Sequence, residues 1–173
     1  MLIYMKEINT IKIFSTELGC IAMQALIFSD SHRGFSYIYD TVVKYPKIDL
    51  IIHAGDVQAD VDDILSVFPR IPCAYVLGNN DFSVWDVPYD RFFEFGGKKI
   101  FLTHGHNYGV KMSLRRVTAK AKEMGADICI FGHTHVPYLD EGEILTINPG
   151  TARRGYALLT VENGTVRVEL KSL

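Results

Sequence analysis

The chain has 173 residues, of which 48% are hydrophobic and 22% are charged, and its net charge at pH 7 is -2. This length and composition are ordinary for one folded domain with a sizeable core. The small net charge gives no reason to expect nonspecific binding to nucleic acid or to an anionic membrane. No apolar stretch approaches the roughly 18 residues that a membrane-spanning helix requires.

Residues 1–22 precede a methionine, Met23, and fit poorly with the sequence that follows. Charged residues such as Lys6 and Glu7 interrupt the apolar ones, unlike the apolar centre of a secretory signal. From Met23 the sequence "MQALIFSDSH" forms a complete strand that leads into a polar loop. We therefore expect Met23 to be the physiological start, residues 1–22 to be a non-native or loosely ordered extension, and residues 23–173 to form the domain. The alternative is an extra strand or helix docked on that domain.

The three cysteines, Cys20, Cys73 and Cys129, are odd in number and widely spaced. Two of them lie inside apolar strand-like runs. We interpret them as reduced structural thiols, which is typical of a cytoplasmic protein.

Strands and helices are predicted to alternate in the first half of the chain. Apolar periodicity of three to four residues predicts helices around residues 35–43, 61–68 and 113–124, and Gly125 follows the last of these as a C-terminal cap. Glycine pairs or Asn-Gly predict hairpin turns at residues 96–97 and 163–164. Strand-like apolar runs cover residues 25–28, 49–53, 73–77, 98–103, 127–131, 136–139, 143–147, 155–161 and 165–170.

The order of these elements predicts one compact α/β domain. Alternating strands and helices favour a largely parallel sheet, and the strand-rich C-terminal half favours a second sheet that is mixed or antiparallel. The sequence contains no repeat, low-complexity tract or linker.

Five of the predicted strands end in the same kind of residue. Each is followed by Asp, Asn or His, often beside a glycine, and turn chemistry alone would supply Ser, Thr, Pro and Lys as readily. The carboxyl ends of parallel strands open onto one crevice, so these side chains are expected to converge. Asp30 and His32 are spaced i, i+2, and so are His133 and His135. This spacing points both side chains of a pair the same way if the backbone is still extended. The strand-end residues are Asp30, His32, Asp56, Asn79, His104, His133 and His135.

Two carboxylates, one amide oxygen and four imidazoles exceed the ligand set of a single tetrahedral ion, and they suit two metals that share a carboxylate. Oxygen and imidazole donors without thiolate favour Mn, Fe, Zn, Ni or Co. Two divalent ions and two carboxylates leave a positive site, which a phosphate ester would match.

The motifs "DSH", "GD", "GNND", "HGH" and "GHTH", in this order, resemble those of the calcineurin-like metallophosphoesterases, and most closely their small bacterial and archaeal phosphodiesterase branch. The resemblance runs from about Met23 to Arg153. It implies a four-layer sandwich in which two mixed β-sheets pack face to face between helices.

The resemblance also implies roles for the donors. Asp30, His32, Asp56 and His135 would hold one metal, and Asp56, Asn79, His104 and His133 the other, so that Asp56 bridges. A metal-bound hydroxide would then attack a phosphodiester in line. We expect two divalent ions, with Mn as the activating one, a small phosphodiester substrate, and no membrane or nucleic-acid partner; an oligomer is left open.

Five further residues lie in or close to these motifs. His53 is expected to be packed and hydrogen-bonded, whereas a role for His106 in the site is left open. Asp81 is a candidate for orienting a ligand or the backbone. The Arg153–Arg154 pair either contacts a substrate phosphate or is simply solvated.

Asn80 is the main departure from the family pattern. Many relatives have histidine here, which is thought to protonate the leaving oxygen, and an amide cannot act as a general acid. We therefore predict a phosphodiesterase that uses His106 or a metal-bound water as proton donor. The alternatives are a phosphomonoesterase or a non-catalytic protein-binding scaffold of the same fold.

Overall fold

The computed structural model describes residues 12–13, 22–82 and 86–173. Its described residues form strands β1–β11, helices α1–α3 and one 3-10 helix. The strands are β1 Lys12–Ile13, β2 Met23–Phe28, β3 Leu50–His53, β4 Cys73–Tyr75, β5 Asp90–Phe95, β6 Lys98–Thr103, β7 Ile128–Ile130, β8 Tyr138–Glu141, β9 Leu145–Asn148, β10 Gly155–Glu162 and β11 Thr165–Ser172. The helices are α1 Phe35–Val42, α2 Gln58–Val67, α3 Arg115–Glu123 and the 3-10 helix His106–Tyr108.

The strands form two mixed sheets. One has the order β11-β10-β2-β3-β4 and the other the order β1-β5-β6-β7-β9-β8. Strands β2, β3 and β4 run parallel, as do β6, β7 and β9, and the remaining pairs are antiparallel except β1 with β5. The predicted pair of mixed sheets is confirmed. The expectation that the C-terminal strands belong to a second sheet is wrong for β10 and β11, because β10 pairs with β2 in the first sheet.

Period-two alternation explains the four layers. In β2, Ala25 and Ile27 face the core between the sheets, while Leu26 and Phe28 face helices α1 and α2. In β6, Leu102 faces that core, and its neighbour Phe101 packs toward α3. Strands buried on both faces read as continuous apolar runs, which is why their sequences lack visible alternation.

The turn predictions agree with the backbone. Gly96, Gly97, Asn163 and Gly164 all have positive φ, as two-residue hairpin turns require, and Gly125 has a φ of 69° just after α3. The predicted run 136–139 begins two residues too early, because β8 starts only at Tyr138.

The expectations for residues 1–22 and for Cys20 lie almost wholly outside the described residues. The described part is the pairing of Lys12–Ile13 with β5 and the single residue 22. Cys73 and Cys129 are both free thiols, as predicted. Within the described ranges, no helix is long and apolar enough to cross a bilayer.

Candidate metal centre

The seven predicted donors follow the carboxyl ends of β2, β3, β4, β6 and β7, and these ends are joined directly by backbone hydrogen bonds. The Asp30 amide donates to the Gly55 carbonyl at 3.0 Å, and the Ser31 amide donates to the Asp56 carbonyl at 2.9 Å. The amide of Gly132 donates to the His104 carbonyl at 3.2 Å across the other sheet. The loops that carry the donors are therefore fixed to one another before any ligand binds.

The backbone leaves the extended conformation at the donors themselves. Asp30, His32, Asp56, His133 and His135 have φ values of 51°, 47°, 53°, 65° and 62°. The extended backbone on which i, i+2 pairs would align is therefore not present at these donors, although their side chains do converge. A left-handed conformation costs a non-glycine residue on the order of 1–3 kcal/mol, and such strain concentrates at functional sites.

Three of the donors form a group at the outer side of the site. The Nε2 atom of His135 lies 3.1 Å from Oδ1 of Asp30, and it lies 3.4 Å from Nε2 of His32. Asp30 is fully buried, whereas His135 is exposed, so this group reaches from the interior to solvent.

The remaining donors surround Nε2 of His104. This atom lies 3.1 Å from Oδ1 of Asn79, 3.2 Å from Nδ1 of His133 and 3.6 Å from Oδ2 of Asp56. Oδ1 of Asp30 lies 3.9 Å away, so Asp30 faces both groups. The structure thus brings all seven predicted donors together. Oδ1 of Asp30 faces both groups, and the bridging role of Asp56 stays a prediction.

The two oxygens of Asp30 have different surroundings, and the difference fits a cation. Oδ2 accepts hydrogen bonds from the Ser29 hydroxyl at 2.6 Å and from the His133 amide at 3.0 Å. Oδ1 is buried and accepts no hydrogen bond from the described residues, although Nε2 of His135 lies 3.1 Å away. A buried carboxylate oxygen without a partner is unfavourable, and a divalent ion between the donor groups would remove that cost.

The surroundings of His104 and His133 favour the ring states that can bind a metal ion. Nδ1 of His104 lies 2.7 Å from the Ala54 carbonyl and donates to it, so Nε2 is the ring nitrogen that faces the other donors. Burial, reinforced by the charges of His104 and Lys111, lowers the pKa of His133 to about 4. The His133 ring is therefore neutral near pH 7, which is the form that binds metals.

Asp81 holds the backbone of the donor loops. One of its oxygens accepts from the amides of Gly78 at 2.7 Å and Asp56 at 3.1 Å, and the other accepts from the amide of Gln58 at 2.6 Å. This is the backbone-orienting contact predicted for Asp81, and it ties the loop after β4 to the loop after β3.

Two glycines make room for the buried carboxylates. A Cβ on Gly78 would lie 1.9 Å from Oδ1 of Asp56, and one on Gly132 would lie 1.9 Å from the Ser29 hydroxyl and 2.8 Å from Oδ2 of Asp30. The glycines of the "GNND" and "GHTH" motifs are thus required by close approach of the neighbouring loop.

Asn148, at the end of β9, contributes to the site in a way that the residue-level reasoning missed. Its amide group donates to the Gly132 carbonyl at 2.9 Å and to the Thr134 hydroxyl at 3.0 Å, and its carbonyl accepts from the Gly150 amide at 2.8 Å. It therefore holds the loop of His133 and His135. The "NPG" triplet was the available signal.

The other residues that the sequence analysis considered near the motifs differ in how they contact the site. His53 is fully buried, with its Nε2 3.2 Å from the Ser31 hydroxyl, so the packed and hydrogen-bonded interpretation is confirmed. The amide group of Asn80 donates to Oδ2 of Asp56 at 2.6 Å. The guanidinium of Arg153 donates to the His32 carbonyl at 2.7 Å, beside the outer donor group. Arg154 is exposed, and its backbone hydrogen bonds join it to Thr151 and Leu173.

His106 lies at the inner side of the same crevice. Its ring centroid is 5.4 Å from that of His104 and 6.0 Å from that of His133. Burial lowers its pKa, and the neighbouring His104 lowers it further. Nδ1 of His106 is buried without a hydrogen-bond partner among the described residues.

Residues 23–167 match the family model of the calcineurin-like phosphoesterase superfamily domain. The chain belongs to this superfamily. It is 37% identical over 158 residues to the probable metallophosphoesterase YsnB of Bacillus subtilis. The aligned region covers 84% of this chain and 89% of YsnB. The predicted family, with its small bacterial members, is thereby confirmed.

Solved structures support the same fold. A predicted phosphoesterase from Streptococcus pneumoniae superposes with a TM-score of 0.74 at 27% identity, over 89% of this chain and 91% of that one. Wild-type Vps29 of Entamoeba histolytica, complexed with Zn²⁺, superposes with a TM-score of 0.68 over 87% of this chain and 99% of that one. At 20% identity, the second match shows the fold alone.

The metallophosphoesterase family uses divalent metal ions, and the donor set here fits them. Two groups of His and carboxylate side chains each have their ligand atoms within 4.8 Å of one another: Asp30 with His32 and His135, and Asp30 with Asp56 and His104.

Proposed function

We propose that this protein is a phosphodiesterase whose seven donors hold two divalent metal ions, with Mn²⁺ as the activating ion. The observation that supports this most is the buried Oδ1 of Asp30, which accepts no hydrogen bond from the described residues and faces both donor groups. Asp30, His32, Asp56 and His135 would hold one ion, and Asp56, Asn79, His104 and His133 the other, with Asp56 as the shared ligand.

When bound, the two ions would activate water and neutralise the charge of the phosphate. The chain's own residues determine the geometry of that chemistry. Asp81 and Asn148 fix the donor loops, and Arg153 places a positive charge beside the outer group. Preorganised positive charge lowers the barrier because the transition state of phosphoryl transfer concentrates negative charge on oxygen.

The position of Asn80 supports a diester rather than a monoester substrate. Its amide donates to Asp56 and has no proton to give to a leaving alkoxide. Of the nearby groups, His106 is a candidate proton donor because its ring lies beside those of His104 and His133. We propose that it or a water molecule supplies the proton.

A panel of substrates tests the reaction class. The metal-stripped protein is refilled with Mn²⁺, Ni²⁺ or Zn²⁺ and assayed on bis(4-nitrophenyl) phosphate, 4-nitrophenyl phosphate and cyclic nucleotides. We expect hydrolysis of diesters to exceed that of the monoester. Asp30→Asn should abolish it, whereas Asp63→Asn, on the exposed side of α2, should not. Faster monoester hydrolysis would contradict the diester assignment.

The fold match to Vps29 keeps a scaffold as the second candidate function. All seven donors are present and mutually oriented in this chain, which a scaffold would not need. A protein that binds no metal and hydrolyses no ester under any of these conditions would favour the scaffold.

A further inference from the structure

An aromatic pair connects the candidate metal centre to the protein surface. The ring centroid of Tyr89 lies 5.6 Å from that of His106, with an interplanar angle of 68°. His106 in turn contacts the rings of His104 and His133. Tyr89 is 48% exposed, so one aromatic ring stands open to solvent two rings away from the proposed ligands.

Neighbouring hydrogen bonds hold Tyr89 in place. The carbonyl of Pro88, immediately before it, accepts from the Leu77 amide at 3.0 Å, next to the "GNND" loop. Asp90, immediately after it, begins β5 and accepts a hydrogen bond from the Tyr108 hydroxyl at 2.5 Å. Tyr89 is therefore presented from a fixed backbone, and a ligand that contacts it loses little conformational entropy of the protein.

His106 is fixed by a tight turn. It begins the 3-10 helix, the Gly109 amide donates to its carbonyl at 3.1 Å, and the Tyr108 amide donates to the Gly105 carbonyl at 3.0 Å. Its ring contacts that of Tyr89 as well as those of His104 and His133, so it links the exposed tyrosine to the donors.

We propose that Tyr89 is a stacking platform for an aromatic group attached to the scissile phosphate, and that the substrates are nucleoside phosphodiesters. This inference rests on the proposed function and specifies its substrate class. With the phosphate at the donor groups, the sugar spans the region of His106 and the base reaches the open ring of Tyr89. Stacking accepts any base because every base has a π-face, so the platform selects bases as a class.

Binding of two product-like probes isolates the base. AMP and ribose 5-phosphate share a phosphate and a sugar and differ by the base, and their dissociation constants can be measured by calorimetry on the Mn²⁺-loaded protein. We expect AMP to bind at least about fivefold more tightly, the lower end of what one base–aromatic stack contributes. Tyr89→Ala should remove most of this preference, and Tyr89→Phe should retain it.

Two controls separate stacking from a general loss of structure. Inorganic phosphate should bind Tyr89→Ala and the wild type equally, because the donor groups are unchanged. Tyr39→Ala removes a tyrosine of similar exposure, 42%, that stacks on Phe68 beside α1, and it should keep the preference for AMP. A second pair of probes, phenyl phosphate and methyl phosphate, shows whether a simple aryl group suffices in place of a base.

Equal affinity for AMP and ribose 5-phosphate in the wild type would overturn the inference, as would a preference that survives in Tyr89→Ala. These outcomes are distinct from failure of the proposed function. Absence of diester hydrolysis in the wild type would refute the proposed enzymatic function. The preference for AMP and its loss in Tyr89→Ala are measured by binding alone, so they can be tested in either case. If Tyr89→Ala does not fold, Tyr89→Leu provides the same comparison with an apolar side chain of greater volume.

Discussion

Replacing Gly78 by alanine should disable the metal centre with one methyl group. The added Cβ would lie 1.9 Å from Oδ1, 2.6 Å from Cγ and 2.6 Å from the backbone nitrogen of Asp56. Real Cβ atoms essentially never approach other atoms closer than 3.0 Å. The carboxylate of Asp56 must therefore move away from residue 78 by about 1 Å or more. Both its side chain and its backbone are in the way.

The surroundings of Asp56 make that movement costly. Its carboxylate accepts from the backbone amide of Asn80 at 2.9 Å and from the Asn80 side chain, and its own amide donates to Asp81. Overpacking of this kind typically costs about 1–3 kcal/mol of stability. A misplacement of about 1 Å in a catalytic site typically costs on the order of 100-fold in rate.

We expect Gly78→Ala to unfold at lower denaturant concentration, to bind Mn²⁺ more weakly, and to lose about 100-fold in kcat/KM on a diester. Urea unfolding, metal analysis and steady-state kinetics measure the three effects. Gly142→Ala is the matched control, because its Cβ would meet only the side chain of Asp140, at 3.1 Å. A Gly78→Ala protein with wild-type metal content and activity would refute the close-packing argument.

Further predictions concern single contacts. Asp81→Ala leaves three amides without their acceptor, and the free energy of unfolding should fall by about 1–3 kcal/mol in urea titration; an unchanged value would contradict the orienting role. Asn148→Ala should weaken metal binding by about 10- to 100-fold because it frees the loop of His133; unchanged affinity in a metal titration would exclude this. Asn80→His should raise activity on diesters with poor leaving groups, and no gain in kinetic assays would undercut the missing-acid argument. Burial raises the pKa of Cys129 from 9.0 to about 12, so its thiol should resist alkylation at pH 8 until the protein unfolds, as peptide mapping would show; modification of the native protein would contradict this burial.

The convergence of the donors was predictable because parallel strands place their carboxyl ends at one edge. A strand end followed by Asp30 and His32 can be recognised in the sequence, and so can "GHTH". The conformation that brings them together was not predictable, because positive φ at five of the donors is imposed by the hydrogen bonds between loops rather than by local preference. Asp, Asn and His are enriched in this conformation among non-glycine residues, so the residue types that bind metal are also those that tolerate the turn.

The sheet to which a strand belongs was harder to predict than the strand itself. Strand β10 is apolar on both faces, and that pattern is compatible with either sheet. Its antiparallel pairing with β2 depends on contacts between residues more than 130 positions apart, such as Leu159 with Ala25. Asn148 was missed for a similar reason, since its function lies in contacts with the loop that contains Gly132.

Titration of the metal-free protein with Mn²⁺, monitored at once by bound metal and by hydrolysis of bis(4-nitrophenyl) phosphate, tests the central claim most directly. The donor arrangement predicts two bound ions per chain and hydrolysis that requires them, with both lost in Asp30→Asn. Full activity in the metal-free protein, or saturation of the wild type without any diester hydrolysis, would contradict it.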